Sequence, residues 1–558
     1  MSGPGAAAFD LIVVGGGCNG TGIARDAALR GHRVALLEKG DFGHGATGNS
    51  SGMIHGGPRY LTADRDVTRL SCEDSGIIQR LAPHLCFRIP FLAPVLRYPK
   101  APWATTLWRT VVEVFLEAYD VYQPLKNGKV HTRLSEAEAR AVEPGLGPDV
   151  AGALTFDEWG IDTHRLCVLN AVSAARAGAV VKNHCGVEAV LREGGEVVGV
   201  RARDMLTGEG YELRARAVYN ATGAWSPRFA AMAGAEVRLR PGKGIHLVYD
   251  RRLSDYGLVT TAVDGRELLM IPHEHHTIIG TTDDDYYGDP EDVAANFDEK
   301  EYLLQAFARV FPSVRQHRIV ATWAGVRPTL WKYGPAESKL SRAHRVLDHA
   351  PQGAAGLYSI VGGKLAAYRI MSEEAVDAAE GRIGRKGPCR TREDPLPGAM
   401  AREGGEMEAL AGALAERFGV DRYAVTRLVF RHGTGAEAVL ELGAQTPRGL
   451  EVVDAAEPVL ECEVRHCVRH EWARTLPDLT RRCLLGAGGE RGVRAALRAG
   501  EILAEELGVG PAEARAAARA LLDHGWRDRA QVLDGIQLAQ EELNLARAAL
   551  VWNLGAVR

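Results

Sequence analysis

The chain of 558 residues has no uninterrupted hydrophobic run of the ~20 residues that a membrane-spanning helix requires. Its formal net charge is −4, which is small for this length and argues against nucleic acid as a partner, so an anionic ligand must be attracted by local basic residues. The nine cysteines lack the spacing of a disulfide framework and no secretory signal precedes them, which favours the reducing cytoplasm. H-E-x-x-H and paired C-x-x-C spacings are also missing, so no metal site is expected.

The start of the chain carries the strongest pattern. The segment Phe9–Val14 is typical of a buried strand, and a G-x-G-x-x-G motif follows where a helix should begin. The glycines of this motif are Gly15, Gly17 and Gly20. They permit a tight turn, a close approach of the backbone to a pyrophosphate, and close helix–strand packing. A second strand is predicted over residues 33–37, and Glu38 at its end can accept hydrogen bonds from an adenosine ribose. The alternative is an ordinary glycine-rich turn between a strand and a helix.

Further small-residue turns indicate which dinucleotide binds. They lie at residues 43–52, at 217–225, where a strand runs into Ala-Thr-Gly, and at 360–365. Turns spread over about 350 residues suit FAD better than NAD, because FAD is longer and its ring system must be held as well as its adenine half. Beyond the first motif, the predicted cofactor contacts are Thr47, Ser51, His55, Val187, Ala221, Thr222, Gly223, Gly363, Lys364 and Leu365.

Six stretches taken together resemble the FAD-dependent glycerol-3-phosphate dehydrogenases, in the same order along the chain. They are residues 15–38, 54–60, 243–246, 279–283, 325–328 and 362–369. The resemblance extends from about residue 9 to about residue 480. It implies FAD-dependent oxidation of sn-glycerol 3-phosphate to dihydroxyacetone phosphate, with electrons passing to a quinone or another acceptor.

Two branches of that family are mixed in this sequence. Residues 45–48, 340–342 and 347–350 resemble the large catalytic subunit of the anaerobic enzyme, whereas residues 243–246 and the aromatic segment near Trp103 resemble the aerobic, membrane-associated enzyme. The anaerobic catalytic subunit carries an iron–sulfur centre on a C-terminal cysteine cluster. Here Cys462, Cys467 and Cys483 lack a second close pair, so no such cluster is expected.

Two histidines are candidates for the base that removes the proton from the C2 hydroxyl. His246, in Lys-Gly-Ile-His, matches the active-site histidine of the aerobic enzymes, and His55 precedes the turn expected beside the flavin ring. We favour His246 as the base and assign His55 mainly to flavin positioning. A purely structural histidine is the alternative for each.

Arginines are expected to bind the phosphate, because the guanidinium fork forms paired, charge-assisted hydrogen bonds. By matching motif, the basic candidates are Arg59, Arg327, Arg342 and Lys364. Arg327 is the strongest and can also stabilise the developing alkoxide. Tyr60 is expected to donate a hydrogen bond to substrate, and Thr282 either caps a turn or contacts the ligand.

The expected fold class is α/β, with a Rossmann-like FAD-binding domain, a strand-rich substrate domain of the D-amino-acid-oxidase and glutathione-reductase kind, and a C-terminal α-helical domain. The FAD-binding domain is assigned to residues 1–85, 150–235 and 355–385, and the substrate domain to 86–149 and 236–354. Residues 386–558 form the helical domain, in which helices are predicted near 421–445, 463–476, 490–506, 511–524 and 528–552. Residues 186–211 have the pattern of a β-meander, and residues 273–276 that of a hairpin tip.

The segment 101–122 is the candidate membrane contact. Its aromatic and aliphatic residues could lie at a bilayer surface with Lys100 and Arg109 near the headgroups, although a helix packed on the neighbouring domain is the alternative. The expected location is therefore the cytoplasm or the cytoplasmic face of the inner membrane. Two other functions stay open: an FAD enzyme acting on another hydroxy acid or an amine, and a flavin-binding electron-transfer or assembly subunit.

Overall fold

The structure is a computed structural model that describes residues 9–58, 61, 64–334, 340, 342–400, 405–454, 458–483 and 489–551. Its strands are β1 (Phe9–Val14), β2 (Val34–Leu37), β3 (Cys86–Leu96), β4 (Thr132–Ser135), β5 (Val150–Ile161), β6 (Val180–Lys182), β7 (Cys185–Glu193), β8 (Glu196–Asp204), β9 (Gly210–Asn220), β10 (Gly242–Tyr249), β11 (Gly257–Thr261), β12 (Glu267–His273), β13 (His276–Gly280), β14 (Asp284–Asp285), β15 (Ile319–Arg327), β16 (His344–Asp348), β17 (Leu357–Gly362), β18 (Val452–Asp454) and β19 (Val459–Leu460).

The helices alternate with these strands in the first part of the chain and follow one another at its end. They are α1 (Cys18–Leu29), α2 (Arg65–Leu81), α3 (Pro102–Asp120), α4 (Glu136–Val142), α5 (Thr163–Arg176), α6 (Ser226–Met232), α7 (Phe297–Phe307), α8 (Tyr368–Ile383), α9 (Glu406–Phe418), α10 (Arg422–His432), α11 (Ala436–Ala444), α12 (Glu461–His470), α13 (Leu476–Arg482), α14 (Gly489–Leu507), α15 (Pro511–Ala530) and α16 (Gly535–Val551).

The first sheet has the strand order β16-β17-β9-β1-β2-β6, with β1 parallel to both β2 and β9. Leu11, Ile12 and Val13 are fully buried, as expected for a central strand that is covered on both faces. The predicted strand, glycine turn, helix and second strand at the start of the chain are all present. The predicted β-meander is also confirmed, since β7, β8 and β9 pair antiparallel in sequence.

The second sheet has the order β14-β10-β13-β12-β11-β3-β5-β4, and β15 also pairs with β10. Its largest core packs Leu247, Tyr249 and Phe307 with other buried apolar residues. The predicted hairpin tip is confirmed, because His273 pairs with His276 where β12 turns into β13.

Two of the domain boundaries drawn from the sequence need correction. Strand β5 falls within the range assigned to the FAD-binding domain, but it pairs along most of its length with β3 and so belongs to the second sheet. Strand β16 falls within the range assigned to the substrate domain, but it pairs with β17 and forms the edge of the first sheet. Both strands pair antiparallel with a partner that hydrophobic periodicity does not reveal.

The C-terminal region is helical from α9 onward, as predicted, apart from the short pair β18 and β19. The predicted helix at 463–476 ends earlier, at His470, because Trp472 has a left-handed backbone with φ 60°. Within the part of the chain that the structure describes, no helix is long and apolar enough to cross a membrane.

Candidate active site

A cavity of about 1230 Å³ is lined by residues of both sheets. The turn between β1 and α1, the end of β2, the end of β9 and the turn after β17 line it from the first sheet. Strands β10 and β15 line it from the second sheet. Residues that are far apart in the sequence therefore share one wall.

The glycines of the motif have two roles, since two of them allow close packing and one leaves room for a ligand. A Cβ atom on Gly15 would lie 2.5 Å from the Ala221 carbonyl oxygen, and one on Gly20 would lie 1.8 Å from the Gly15 oxygen. Those two glycines hold strand and helix together. A Cβ on Gly17 would meet only the Thr47 hydroxyl, at 3.2 Å, and Gly17 is the N-terminal cap of α1 without a side-chain capping bond. The Cys18 amide donates to the Thr47 hydroxyl at 3.2 Å, and the positive end of the α1 dipole faces the cavity beside Gly17, which favours an anion there.

Glu38 is buried at the end of β2 and lines the cavity. Its carboxylate accepts hydrogen bonds from the Gly16 amide at 2.5 Å and the Gly40 amide at 2.7 Å. Burial raises its pKa, and the two backbone hydrogen bonds oppose that shift. The carboxylate is therefore fixed beside the glycine turn, with lone pairs left for a ribose.

The remaining predicted cofactor residues also line this cavity, namely Thr47, Ser51, His55, Val187, Ala221, Thr222, Gly223, Gly363, Lys364 and Leu365. Gly223 has a positive φ of 59°, and nothing lies within 4 Å of where its Cβ would be. Gly363 also has a positive φ, of 85°. An elongated cavity with several backbone-lined turns and a helix N-terminus fits an extended dinucleotide such as FAD.

Two arginines share one buried carboxylate at the part of the cavity formed by β10 and β15. Asp283 Oδ1 lies 2.9 Å from Arg327 Nη1, and Asp283 Oδ2 lies 2.9 Å from Arg342 Nη2. Arg327 also donates to the Thr281 hydroxyl at 2.8 Å, and Arg342 donates to the Thr329 hydroxyl. The Arg327 side chain is 28% exposed, whereas Asp283 is 3% exposed, so the carboxylate anchors a guanidinium that still reaches the cavity.

His246 lies on β10 at the same part of the cavity. Its Nε2 atom is 2.8 Å from the Ser51 hydroxyl, and Nδ1 has no hydrogen-bond partner among the described residues. Burial, and then the charge of Arg327, lower the pKa of His246 to about 3. The ring is therefore neutral at physiological pH and, before substrate binds, a weak base. We call the group Arg327, Arg342, Asp283 and His246 the arginine end of the cavity.

The other predicted substrate residues fall in different places. Lys364 lines the cavity and donates to the Gly56 carbonyl oxygen at 3.1 Å. Thr282 is buried and its hydroxyl accepts the Ile245 amide at 3.1 Å, while its neighbours Thr281 and Asp283 are the ones that line the cavity. Arg59 and Tyr60 lie outside the described residues.

A second part of the cavity, on β3, β5 and α3, is apolar, and three strands of the second sheet separate β3 from β10. Phe91 and Phe156 stack there with ring centroids 5.1 Å apart, and Leu116, Trp108 and Val111 of α3 complete the lining. Trp108 is 46% exposed and Val111 is 48% exposed, so this part of the cavity reaches the surface beside α3. We call these five residues the apolar end.

Sequence reasoning missed Asp283 and the contact between Ser51 and His246. Within the stretch 279–283, only Thr282 is predicted as a site residue. One sequence does not show that Asp283 meets two arginines from other segments. The pattern around Ser51 indicates a cofactor contact alone. The small-residue stretch 43–52 indicates that Ser51 lies near a ligand, but it does not show that Ser51 also lies next to His246 of β10.

Residues 10–369 match the model of the FAD-dependent oxidoreductase family, and residues 389–514 match the C-terminal domain of alpha-glycerophosphate oxidase. The fold and the cavity therefore define an FAD-dependent oxidoreductase. Among curated proteins, the glycerol-3-phosphate dehydrogenase of Mycobacterium leprae is 34% identical over 557 residues, covering 97% of this chain and 92% of the relative. One subunit of the anaerobic glycerol-3-phosphate dehydrogenase of Escherichia coli is 32% identical over 497 residues, covering 88% of each chain.

The solved structure of glycerol-3-phosphate dehydrogenase from Bacillus halodurans, which is complexed with FAD, aligns with a TM-score of 0.72 at 25% identity. The alignment covers 95% of this chain and 96% of that one. The chain belongs to the FAD-dependent glycerol-3-phosphate dehydrogenase family.

Proposed function

We propose that this protein oxidises sn-glycerol 3-phosphate to dihydroxyacetone phosphate and passes the electrons to a quinone at the cytoplasmic face of the inner membrane. The observation that carries the first part is the arginine end, where two guanidinium groups and a neutral histidine face the cavity that also holds the dinucleotide turns.

FAD, when bound, supplies the group that accepts a hydride from C2 of the substrate. Gly17 and the start of α1 would hold its pyrophosphate, and Glu38 its adenosine ribose. The turns at 221–223 and 362–365, together with His55, would hold the remainder beside the arginine end. The chain's own task is then to place the C2–H bond of the substrate and to take up the hydroxyl proton.

The phosphate is assigned to Arg327 and Arg342. A dianionic phosphate competes well with one carboxylate for two guanidinium groups, since both kinds of acceptor form paired, charge-assisted hydrogen bonds. Asp283 holds the two guanidinium groups next to each other before substrate binds. Arg327 is the more exposed of the two, so it is the one that first meets the ligand.

His246 is the proposed base. A developing alkoxide at C2 needs a proton acceptor within hydrogen-bond reach, and in neutral His246 that acceptor is the Nε2 lone pair, since Nδ1 is buried away from the cavity. The Ser51 hydroxyl at 2.8 Å fixes the ring orientation. The Arg327 charge that lowers the pKa of His246 is offset when Arg327 binds phosphate, so substrate binding makes His246 a stronger base.

The apolar end supports a quinone as the acceptor. Its aromatic and aliphatic lining suits an apolar ring, and its mouth lies beside α3, where Trp103, Leu107 and Val114 are 70%, 55% and 56% exposed. An amphipathic helix of this composition can lie in the bilayer interface, from which a quinone would enter the cavity directly. This is also the argument for peripheral membrane attachment.

Two alternatives have distinct outcomes in one experiment. The purified protein with its FAD is mixed without oxygen with sn-glycerol 3-phosphate, glycerol, a 2-hydroxy acid or an amine, and the visible flavin absorption is recorded. The proposal expects bleaching by glycerol 3-phosphate at far lower concentration than by the others. Bleaching by a hydroxy acid or an amine alone would identify another substrate class, and FAD that none of them bleaches would indicate an electron-transfer or assembly role.

A further inference from the structure

Outside the cavity, two histidines and one carboxylate meet where the C-terminal domain packs on the FAD-binding domain. His432 is the last residue of α10, His466 lies in α12, and Glu471 directly follows α12. One ligand atom of each lies within 4.8 Å of the other two. None of the three lines the catalytic cavity.

The histidine nitrogens lie too far from the Glu471 carboxylate for hydrogen bonds, and the space between them is close to what a bound metal ion needs. His466 Nε2 is 3.6 Å and His432 Nδ1 is 4.0 Å from the same oxygen, Glu471 Oε1. Both distances exceed the length of a hydrogen bond. Around a tetrahedral zinc ion with bonds near 2.0–2.1 Å, neighbouring nitrogen and oxygen ligands lie about 3.3 Å apart, so a small inward shift of each side chain would complete the site.

The orientation of His432 also suits a metal ligand. Its Nε2 atom faces Glu463 Oε1 at 3.8 Å, and its Nδ1 atom faces Glu471. A carboxylate behind the ring favours the tautomer that keeps the other nitrogen's lone pair for a metal. Burial and the nearby Arg165 guanidinium lower the pKa of His432 to about 4, so the ring is neutral.

The Glu471 carboxylate is shared between Arg165 and the two histidines. Arg165 Nη1 is 2.6 Å from Glu471 Oε2, which leaves Oε1 as the oxygen that the two histidines face. Arg165 also donates to His432 Nδ1 over a long 3.4 Å contact, which a metal at that nitrogen would replace. The Cys467 thiol donates to Glu471 Oε2 at 3.4 Å and is not part of the three-residue group, so the fourth position of a tetrahedral ion falls to water.

We propose that His432, His466 and Glu471 bind a zinc ion, with water in the fourth position, and that this ion ties α10 and α12 together at the contact with α5. Zinc is the divalent ion that best matches two imidazoles and one carboxylate. The site is structural, because Glu471 and His432 are buried and lie away from the cavity lining. Glu471 links the ion to Arg165 of α5, so metal binding stabilises the docked C-terminal domain. A metal-ligand spacing is not visible in the sequence, because the ligands come from two helices.

The test uses untagged full-length protein with its FAD, prepared with a phosphine reductant, which does not compete for the metal as a thiol would. Zinc content is measured after dialysis, and affinity is measured by competition with a chromophoric chelator. Cobalt(II) replaces zinc in a parallel sample, where the visible absorption of a four-coordinate ion should appear in the wild type and be lost in His466→Gln. His466→Gln is the main variant, because its side chain is partly exposed and the fold tolerates the change. The exposed His470, whose ring lies 5.0 Å from that of His466, provides the matched control His470→Gln.

We expect near-stoichiometric zinc in the wild type and in His470→Gln, and at least roughly tenfold weaker binding in both His466→Gln and His432→Gln. Zinc should also raise the unfolding temperature of the wild type and leave that of His466→Gln unchanged. Zinc affinity that is equal in the wild type, His466→Gln and His432→Gln would overturn the proposal. So would a wild type that binds no zinc at micromolar concentrations while retaining its FAD and its circular dichroism spectrum.

Discussion

The two ends of the cavity differ in every property that decides what can bind there. The arginine end has two cations, a shared buried carboxylate and a neutral histidine, whereas the apolar end has stacked aromatic rings and opens beside an exposed hydrophobic helix. A phosphorylated polyol suits the first environment and an apolar ring suits the second. On the proposed function, we therefore expect oxidation of substrate at the arginine end and reduction of the acceptor at the apolar end.

Both half-reactions require bound FAD, so removing FAD should abolish both. Gly17→Val places a branched side chain where the backbone would approach the pyrophosphate. Gly17 has φ −71°, which valine also adopts, so the change should spare the fold. We expect the variant to purify almost without FAD, measured by absorbance after denaturation. Full flavin content would show that the glycine turn does not hold the cofactor.

The base at the arginine end should account for the largest change in rate. In His246→Ala the rate of anaerobic flavin reduction should fall about 10²–10⁴-fold, because the proposed acceptor of the hydroxyl proton is lost. Stopped-flow absorbance measures this rate. His55→Ala is the comparison and should chiefly alter FAD binding or the flavin spectrum. Near-normal reduction in His246→Ala with a large loss in His55→Ala would reverse the two assignments.

The phosphate contact should give a smaller loss that is confined to the same end. Arg327→Met removes charge-assisted hydrogen bonds of about 1.5–3 kcal/mol each, so kcat/KM for glycerol 3-phosphate should fall roughly 10- to 100-fold per bond lost. FAD content should not change. Arg309→Met is the matched control, since Arg309 also lines the cavity but lies exposed and away from Asp283. Wild-type kinetics in Arg327→Met would remove Arg327 from the substrate site.

The dependence of stability on acid pH, measured together with flavin reduction, should distinguish a buried catalytic histidine from a buried structural one. Burial lowers the pKa of both His246 and His84 to about 3, and His84 does not line the cavity. A histidine in the unfolded chain has a pKa near 6.5. Below that pH the unfolded chain therefore binds a proton that the folded chain does not bind. Stability is therefore lost as the pH falls from about 6.5, by at most about 1.4 kcal/mol per pH unit for each histidine.

His84→Gln should therefore make the acid-dependent fall in unfolding temperature shallower without changing flavin reduction. His246→Gln should also make this fall shallower, and it should slow flavin reduction. The measurement is FAD release on heating at neutral and mildly acidic pH, followed by fluorescence. An unchanged slope in both variants would contradict the proposed neutral state of these rings.

The smallest expected effect is at the apolar end. Trp108→Ala removes one aromatic contact, worth about 0.5–1.5 kcal/mol, and should raise KM for a short-chain quinone roughly 2- to 10-fold. Because Trp108 is half-exposed, the fold should tolerate the change. Steady-state assays with the quinone and with a small water-soluble acceptor make the comparison. An equal change with both acceptors would argue against a quinone site beside α3.

The dinucleotide half is the more predictable part of the molecule. Strand β1, the glycine turn, α1 and β2 are contiguous, and their roles follow from local rules on glycine, burial and helix N-termini. The cavity contacts of Ala221 and Gly363 are also accessible to sequence reasoning, since each lies in a short turn with its own pattern.

The arginine end is only partly predictable, because it exists through pairing between distant segments. His246 meets Ser51 across 195 positions of sequence, and Asp283 meets Arg327 and Arg342 from three separate segments. The boundary errors at β5 and β16 have the same origin. The tertiary fold decides which strands pair antiparallel, and the hydrophobic periodicity of one segment does not identify its partner.

The most direct test of the division between the two ends measures both half-reactions in two variants. Flavin reduction by glycerol 3-phosphate without oxygen, and flavin re-oxidation by a short-chain quinone, are each followed by stopped-flow absorbance in the wild type, Arg327→Met and Trp108→Ala. The account predicts that Arg327→Met slows only reduction and Trp108→Ala slows only re-oxidation by the quinone. Both variants slowing the same half-reaction, with the other unchanged, would contradict it.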